Sequence, residues 1–293
     1  MTSAIPLIDG LSRVADRYDG FILDLWGVVH DGAEPYPGVP ECLAKLKRRG
    51  KRVCLLSNAP RRIASSRAKL DGMGITADHY DALYTSGEAS WEALRDPPDA
   101  WHIALGSRLL HIGPPRDNDV YAGLPGRVRV TDPAEADFVV NTGIDDFDET
   151  LADYEGVLQA CAARRLPMLC ANPDLVVVVQ GRMVICAGEL ARRYEELGGS
   201  VAYHGKPHAP VYRRCLELLG GVAPDRICMV GDSLRTDIAG ANAAGIDGIL
   251  ITGGIHREEL GTEWGAHPDP ERLGALAAAS GHRPTAAMPR LAW

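Results

Sequence analysis

One stretch decides the fold of this chain, Phe21-Ile22-Leu23-Asp24-Leu25-Trp26-Gly27-Val28-Val29. Three apolar residues lead directly into an acid, which is the pattern of a buried parallel strand that ends at Asp24 and is followed by a turn containing glycine. In open parallel sheets, ligands bind just beyond the carboxyl ends of the strands. Asp24 is therefore a candidate nucleophile or cation ligand, although an acid that only caps the next turn would show the same local pattern.

Two further segments repeat the pattern of an apolar run that ends in polar residues. The run Arg52–Ser57 is followed by Asn58, and the run Arg226–Gly231 leads into Asp232. Apolar residues at helical spacing lie between such runs, as in residues 39–49. Alternating strands and helices predict the α/β class with a doubly wound parallel sheet.

The middle of the chain has an alternation of its own. Residues 84–180 are predicted to form an inserted α/β domain, which leaves residues 1–83 and 181–293 as the core domain. Within the insertion, the pattern predicts a strand at Trp101–Leu105 and a loop-rich region that continues through Pro125.

Composition and charge limit the partners. The 293 residues carry a net charge of -8 and are 46% hydrophobic, so the sequence favours a globular protein and weighs against nucleic-acid binding, which needs a basic face. No run reaches the length of a membrane span, and the N-terminus has no signal-peptide pattern. The seven cysteines form no C-x-x-C pair, which favours a reducing, cytoplasmic setting. A homo-oligomer is left open.

Polar residues at four predicted strand ends supply the groups that phosphoryl transfer requires. They are Asp24, Ser57-Asn58, Lys206 in its loop, and Asp232 with Asp237. In a parallel sheet these groups converge on one edge. Paired carboxylates hold Mg²⁺, a lysine neutralises phosphate oxygens, and an aspartate can attack phosphorus.

These residues resemble the motifs of haloacid dehalogenase (HAD) superfamily phosphatases of the NagD-like branch. The matching segments, in family order, are Asp24-Leu25-Trp26-Gly27-Val28, Leu56-Ser57-Asn58, Gly205-Lys206-Pro207 and Gly231-Asp232-Ser233-Leu234-Arg235-Thr236-Asp237-Ile238. The resemblance covers residues 19–256. It implies a Rossmann-like core with a class II cap inserted between the second and third motifs, where residues 84–180 lie.

The resemblance also implies the role of each residue. Asp24 would be the nucleophile and a ligand of Mg²⁺, together with the backbone carbonyl of Trp26 and with Asp232. Asp237 would steady the metal site and Lys206. The groups around the transferring phosphate would be Trp26, Gly27, Ser57, the N–H of Asn58, and Lys206. Without the other motifs, Ser57-Asn58 would read equally well as the N-cap of the helix after Pro60.

Trp26 departs from the family pattern, which has a second aspartate there as general acid and base. An indole N–H is only a donor and cannot exchange protons in this way. Haloacid dehalogenases also carry an aromatic residue at this position, but Asp232 retains the metal ligand and so favours phosphate over halide. The alternatives are a carbon–halogen hydrolase and a weakly catalytic or non-catalytic phosphometabolite-binding protein.

Four residues are candidates for contact with the substrate, which we expect to be a small phosphorylated metabolite. They are His30, on the loop after Asp24, and Asp145, Asn172 and Asp174 in the insertion. Ordinary loop polarity and turn chemistry explain the same residues equally simply.

Overall fold

The computed structural model describes residues 4–179 and 182–293. The predicted boundary between residues 180 and 181 lies outside the described residues. In the described part, the strands are β1 (Gly20–Asp24), β2 (Arg52–Ser57), β3 (Ala82–Thr85), β4 (Arg108–Ile112), β5 (Val128–Val130), β6 (Phe138–Asn141), β7 (Met168–Cys170), β8 (Val176–Val179), β9 (Arg182–Ile185), β10 (Val201–Tyr203), β11 (Ile227–Gly231), β12 (Asp247–Ile251) and β13 (Ala286–Met288).

The helices of the same residues alternate with these strands. They are α1 (Val39–Arg48), α2 (Ile63–Gly72), α3 (Ser86–Arg95), α4 (Ala100–Ile103), α5 (Leu151–Ala163), α6 (Ala187–Glu196), α7 (Ala209–Leu218), α8 (Ala239–Ala244), α9 (Arg257–Leu260) and α10 (Pro270–Ser280). A single π-helical turn, Leu234–Ile238, leads into α8. No helix in the described ranges is long and apolar enough to cross a membrane.

The chain divides into two compact units. The first contains the chain up to Ser57, Arg67–Tyr84 and Lys206–Trp293, and the second contains Asn58–Ser66 and Thr85–Gly205. Each unit has its own sheet, because the strand order is β13-β12-β11-β1-β2-β3 in one sheet and β10-β7-β6-β4-β5 in the other.

Strand β1 lies inside the sheet of the first unit, in parallel register with β2 and β11. Its residues Phe21–Leu23 are fully buried, which explains the uninterrupted apolar run. The register pairs Asp24 with Leu56 and Leu23 with Val230. The carboxyl ends of β11, β1 and β2 are therefore neighbours at one edge of this sheet.

The sheet of the second unit is buried on both faces. Alternate residues of its strands belong to two different apolar clusters: Leu110, Val139 and Met168 to one, and Leu109, Val140 and Leu169 to the other. This alternation is the geometry of a parallel sheet covered by helices on both sides. The structure is thus an α/β protein with parallel sheets.

Two sequence predictions differ from the structure in the second unit. The predicted strand at Trp101–Leu105 is wrong: the segment forms α4, because the Asp99 side chain accepts the backbone N–H of His102 and caps a helix there. The strand lies instead at β4, in the region predicted to be loop-rich.

The second unit also continues beyond residue 180, as far as Gly205. Strand β9 pairs with β8 as an antiparallel hairpin, and β10 pairs in parallel with β7. These pairings join residues 182–205 to the second unit rather than to the core domain predicted from the sequence.

Candidate active site

Three carboxylates meet at the edge where β1 and β11 end. Asp24 is the last residue of β1, Asp232 follows the last residue of β11, and Asp237 lies in the π-helical turn. An oxygen from each lies within 4.8 Å of the other two, and all three residues are buried. Three buried carboxylates need a cation, since unpaired buried charges are strongly disfavoured.

Lys206 provides one positive charge at this edge. Its ammonium donates to Oδ1 of Asp24 and, at 2.8 Å, to Oδ1 of Asp237. The other oxygen of Asp237 accepts the backbone N–H of Ser233 at 3.0 Å. Because both oxygens of Asp237 are bonded, its carboxylate is suited to orienting Lys206. Burial raises the pKa of the Asp24 carboxyl above its usual range, and the Lys206 ammonium opposes that shift.

Asp232 is held by backbone groups. Its Oδ2 accepts the N–H of Ile255 at 2.9 Å. A Cβ atom on Gly27 or on Gly254 would overlap this carboxylate, so both positions need a residue without a side chain. Gly27 also has φ +83°, a conformation that favours glycine. Ile255 contributes only a backbone N–H, which leaves no signal in the sequence.

The donor set at this edge fits a hard divalent cation. The groups from Asp24, Asp232 and Asp237 are all carboxylate oxygens, the ligands that Mg²⁺ prefers. The glycines packed against Asp232 let the backbone approach the carboxylate closely, as in a preformed ligand cradle. We therefore regard Asp24 and Asp232 as able to hold such a cation, with Asp237 supporting them.

The second motif lies at the end of β2. Ser57 is the last residue of that strand and is buried, and Asn58 follows it. The alternative that these residues cap a helix is wrong, because α2 begins only at Ile63, whose N–H is accepted by the Glu88 carboxylate at 3.1 Å. Ser57 and Asn58 therefore precede α2 without capping it.

Within the second unit, the side chain of Asn58 is already engaged. Its Nδ2 donates to Oδ1 of Asp174 at 2.9 Å. Asn172 accepts the backbone N–H of Asp174 at 3.0 Å, which is an Asx turn. The structure therefore gives Asn172 the turn role that the sequence left open, and makes Asp174 the partner of Asn58.

Asp145 lies on an exposed loop of the second unit. Its backbone N–H donates to the Glu149 carboxylate at 2.9 Å and to the Tyr154 hydroxyl oxygen at 2.8 Å. Asp145 as a whole is exposed.

Trp26 and His30 belong to a tight loop after β1. The N–H of Gly27 donates to the carbonyl of His30, and the Nδ1 of His30 accepts the N–H of Gly32 at 3.0 Å. Burial, with the nearby charge of Lys69, lowers the pKa of His30 to about 4. His30 is therefore neutral at pH 7 and is not an imidazolium that can give up a proton.

The Trp26 ring is fixed by its surroundings. A Cβ atom on Gly32 would overlap the ring, and the His30 ring meets it edge-on with centroids 5.8 Å apart. The ammonium of Lys69 lies over the ring, 5.3 Å from its centroid. Sequence reasoning missed Lys69, which carries no motif and lies far from Trp26 along the chain.

Comparison with known proteins identifies the family. A family profile described as Haloacid dehalogenase-like hydrolase matches residues 21–124, and one described as HAD-hydrolase-like matches residues 203–277. The solved structure of a haloacid dehalogenase-like family hydrolase from Brucella suis 1330 has 33% sequence identity and a TM-score of 0.82, and the match covers 97% of this chain and 99% of that one.

Two characterised relatives are more distant in sequence. Chronophin from Mus musculus is 28% identical over 263 residues, which are 84% of this chain and 84% of that protein. The 4-nitrophenylphosphatase of Schizosaccharomyces pombe is 25% identical over 262 residues, which are 83% of this chain and 87% of that protein. With a relative of 33% identity matched along nearly its whole length, the chain belongs to the haloacid dehalogenase-like hydrolase family, in its NagD-like phosphatase branch.

Proposed function

We propose that the protein is a magnesium-dependent phosphohydrolase that acts on a small phosphorylated metabolite through an aspartyl-phosphate intermediate. One observation carries the proposal: the ammonium of Lys206 bridges Asp24 and Asp237 beside the Asp232 carboxylate, at the joint carboxyl end of β1 and β11. This arrangement combines a nucleophile, a fixed positive charge and cation ligands at one point.

In this mechanism, Asp24 performs the bond-making step. Oδ1 of Asp24 accepts from Lys206, which fixes the carboxylate and leaves Oδ2 to attack phosphorus as the ester oxygen departs. Water then attacks the aspartyl-phosphate and regenerates the carboxylate. The Lys206 ammonium, the Ser57 hydroxyl and the N–H of Asn58 neutralise or bind the phosphoryl oxygens in both steps.

The metal would be held by Asp24, the backbone carbonyl of Trp26, and Asp232, with Asp237 supporting them. When bound, Mg²⁺ supplies positive charge that offsets the charge of the phosphoryl group. The N–H of Ile255 and the close approach of Gly27 and Gly254 keep the Asp232 carboxylate in position for this task.

The second unit corresponds to the class II cap of the resemblance, and we propose that it selects the leaving group. Asp145 and the Asn172–Asp174 turn are the candidate polar contacts of the second unit, and His30 is a candidate of the first unit. We also propose a reducing, cytoplasmic setting, which suits seven cysteines that are all buried as free thiols.

A binding protein with little turnover is the second candidate, because Trp26 stands where the family has a proton donor. Turnover of 4-nitrophenyl phosphate, a generic aryl phosphate, separates the two. We expect hydrolysis that requires Mg²⁺ and is abolished in Asp24→Asn, with phosphate trapped on the peptide containing Asp24 after acid quench.

The matched control is Asp31→Asn. Asp31 lies on the same loop, and its Oδ1 accepts the N–H groups of Ala33 and Glu34, which an asparagine can also accept. This variant should keep wild-type turnover. Equal turnover in Asp24→Asn and wild type, or no turnover with any phosphate ester, would contradict the proposed function.

A further inference from the structure

Two loops of the first unit are joined beside Asp232 by two hydrogen bonds that run in opposite directions. The N–H of Ile255, in the loop after β12, donates to Oδ2 of Asp232 at 2.9 Å. The N–H of Leu234, in the loop after β11, donates to Nε2 of His256 at 3.2 Å. Because the two bonds lie next to each other along both loops, together they fix the Asp232 carboxylate and the backbone that follows it.

The bond from Leu234 also fixes the tautomer of His256. A backbone N–H can only donate, so Nε2 of His256 presents its lone pair and the ring hydrogen lies on Nδ1. Nδ1 is 3.1 Å from Oε2 of Glu259 in α9, which accepts that hydrogen. The carboxylate therefore orients the imidazole ring, and His256 is a fixed acceptor for the N–H of Leu234.

The segment held by His256 carries two of the three clustered carboxylates. Asp232 precedes Leu234 by two residues, and Asp237 follows it by three. Within this segment, Asp237 accepts the N–H of Ser233 and donates its own N–H to the carbonyl of Ser233, both at 3.0 Å. These bonds shape the segment internally, whereas the bond to His256 ties it to another loop. A shift of the Leu234 backbone would therefore move both carboxylates.

We propose that His256 is a positioning residue of the metal site, because its hold on Leu234 presets the orientation of the Asp232 carboxylate. The inference rests on the proposed function, in which Asp232 is a ligand of Mg²⁺. Leu234 is 1% exposed, so loss of the acceptor would leave a poorly hydrated N–H and displace the local backbone. The carboxylate would then have to be ordered as the ion binds, which weakens binding.

Two variants that differ by one methylene group test this role. In His256→Gln the amide reaches the level of Nε2, so its oxygen can still accept the N–H of Leu234. In His256→Asn the amide ends at the level of Nδ1, where it can donate to Glu259 but cannot reach Leu234. His256 is the N-cap residue of α9, and asparagine is a favoured residue there, so His256→Asn should fold.

The first measurement is calorimetric titration of each full-length variant with Mg²⁺. We expect His256→Asn to raise the Kd for Mg²⁺ by about tenfold, the lower end of the effect of groups that orient metal ligands, and His256→Gln to stay close to wild type. With 4-nitrophenyl phosphate, His256→Asn should need about tenfold more Mg²⁺ for half-maximal rate but recover most of kcat at saturation. A residue that only caps α9 predicts the opposite order of the two variants.

The matched control is His79→Leu. His79 is also a partly buried histidine of the first unit, and its Nδ1 accepts the backbone N–H of Thr76 at 3.1 Å. His79→Leu removes the same kind of bond in the turn before β3, so we expect it to leave the affinity for Mg²⁺ unchanged. Circular dichroism at the temperature of the titration checks that each variant is folded.

The outcomes separate this inference from the proposed function. Wild-type affinity for Mg²⁺ in His256→Asn, or equal weakening in His256→Asn and His256→Gln, would overturn the positioning role. In either case the proposed function stands if wild type binds Mg²⁺ and Asp24→Asn abolishes turnover. A wild type that binds no Mg²⁺ would overturn both.

Discussion

Oδ1 of Asp237 lies 2.8 Å from the ammonium nitrogen of Lys206, and both side chains are almost completely buried. Lys206 also pairs with Asp24, so one lysine compensates two buried carboxylates. Truncating one partner of a buried ion pair leaves the remaining charges without compensation, which makes this lysine a structural element as well as a candidate catalytic one.

The first prediction concerns the stability that Lys206 provides. Lys206→Met should lower the free energy of unfolding at pH 7 by about 3–5 kcal/mol in metal-free buffer, because it leaves the buried Asp24 and Asp237 side chains without their ion-pair partner. The loss should shrink at lower pH, where the Asp24 carboxyl, whose pKa is raised by burial, can protonate. Urea unfolding followed by circular dichroism measures both values.

The control for this variant is Lys47→Met. Lys47 lies 2.6 Å from Asp81, but the lysine side chain is 26% exposed. Lys47→Met should lower the free energy of unfolding by about 0–1 kcal/mol, as is usual for ion pairs near the surface. Equal losses of unfolding free energy in the two variants would show that burial does not increase the contribution of Lys206 to stability.

A second prediction concerns Gly254, where a Cβ atom would overlap the Asp232 carboxylate. Gly254→Ala should displace that carboxylate and weaken Mg²⁺ binding by about tenfold or more, since few protein groups hold this ion. Gly274→Ala in α10 is the control, because nothing lies near its Cβ position. Calorimetric titration with Mg²⁺ would contradict the role of Gly254 if both variants bound like wild type.

A third prediction concerns His111 in the second unit. Burial lowers the pKa of His111 to about 4, and among the described residues its Nδ1 has no hydrogen-bond partner. The folded protein therefore holds neutral His111, while the unfolded chain takes up a proton near its ordinary pKa of 6.5. Stability from this residue should be complete above about pH 6.5 and should fall as the pH drops toward about 4.

The variant His111→Gln tests the direction of this pH dependence of stability. Glutamine can still donate to the Thr142 hydroxyl oxygen, which lies 2.8 Å from Nε2 of His111, but it does not titrate. The stability lost by the wild type between about pH 6.5 and pH 4 should exceed that lost by the variant by an amount on the order of 2–3 kcal/mol. An identical pH dependence in both proteins would show that His111 does not contribute.

A fourth prediction concerns the cysteines. All seven are buried, and burial raises the pKa of Cys42 to about 12 and that of Cys161 to about 11. Thiolates are the reactive form, so the native protein should react slowly with a thiol reagent such as DTNB, and all seven should react in urea. A thiol that reacts at once in the native protein would reveal an opening that the fold does not show.

The sequence predicted the parts of the fold that depend on local pattern. The strand that ends at Asp24 and the strand Arg52–Ser57 are where the apolar runs placed them. The strand predicted at Trp101–Leu105 was wrong because the segment is apolar and short. A single capping residue, Asp99, stabilises a helix there instead. Short apolar runs do not distinguish a strand from a helical turn.

The candidate site was predictable where side chains at strand ends carry it. The carboxylates and Lys206 converge as expected for a parallel sheet. Ile255 and Lys69 could not be found in this way, because one contributes a backbone N–H and the other meets Trp26 only through the packing of α2. Such long-range contacts have no signature in the spacing of residues.

The contact between Trp26 and Gly32 also constrains which residues each of the two positions can accept. The indole occupies the space where a side chain on residue 32 would begin, so the two positions cannot be substituted independently. A chain that exchanges Trp26 for aspartate leaves a gap beside a residue with no side chain to fill it. A side chain at position 32 would therefore require both a smaller residue at position 26 and a different local backbone, since Gly32 has φ +101°.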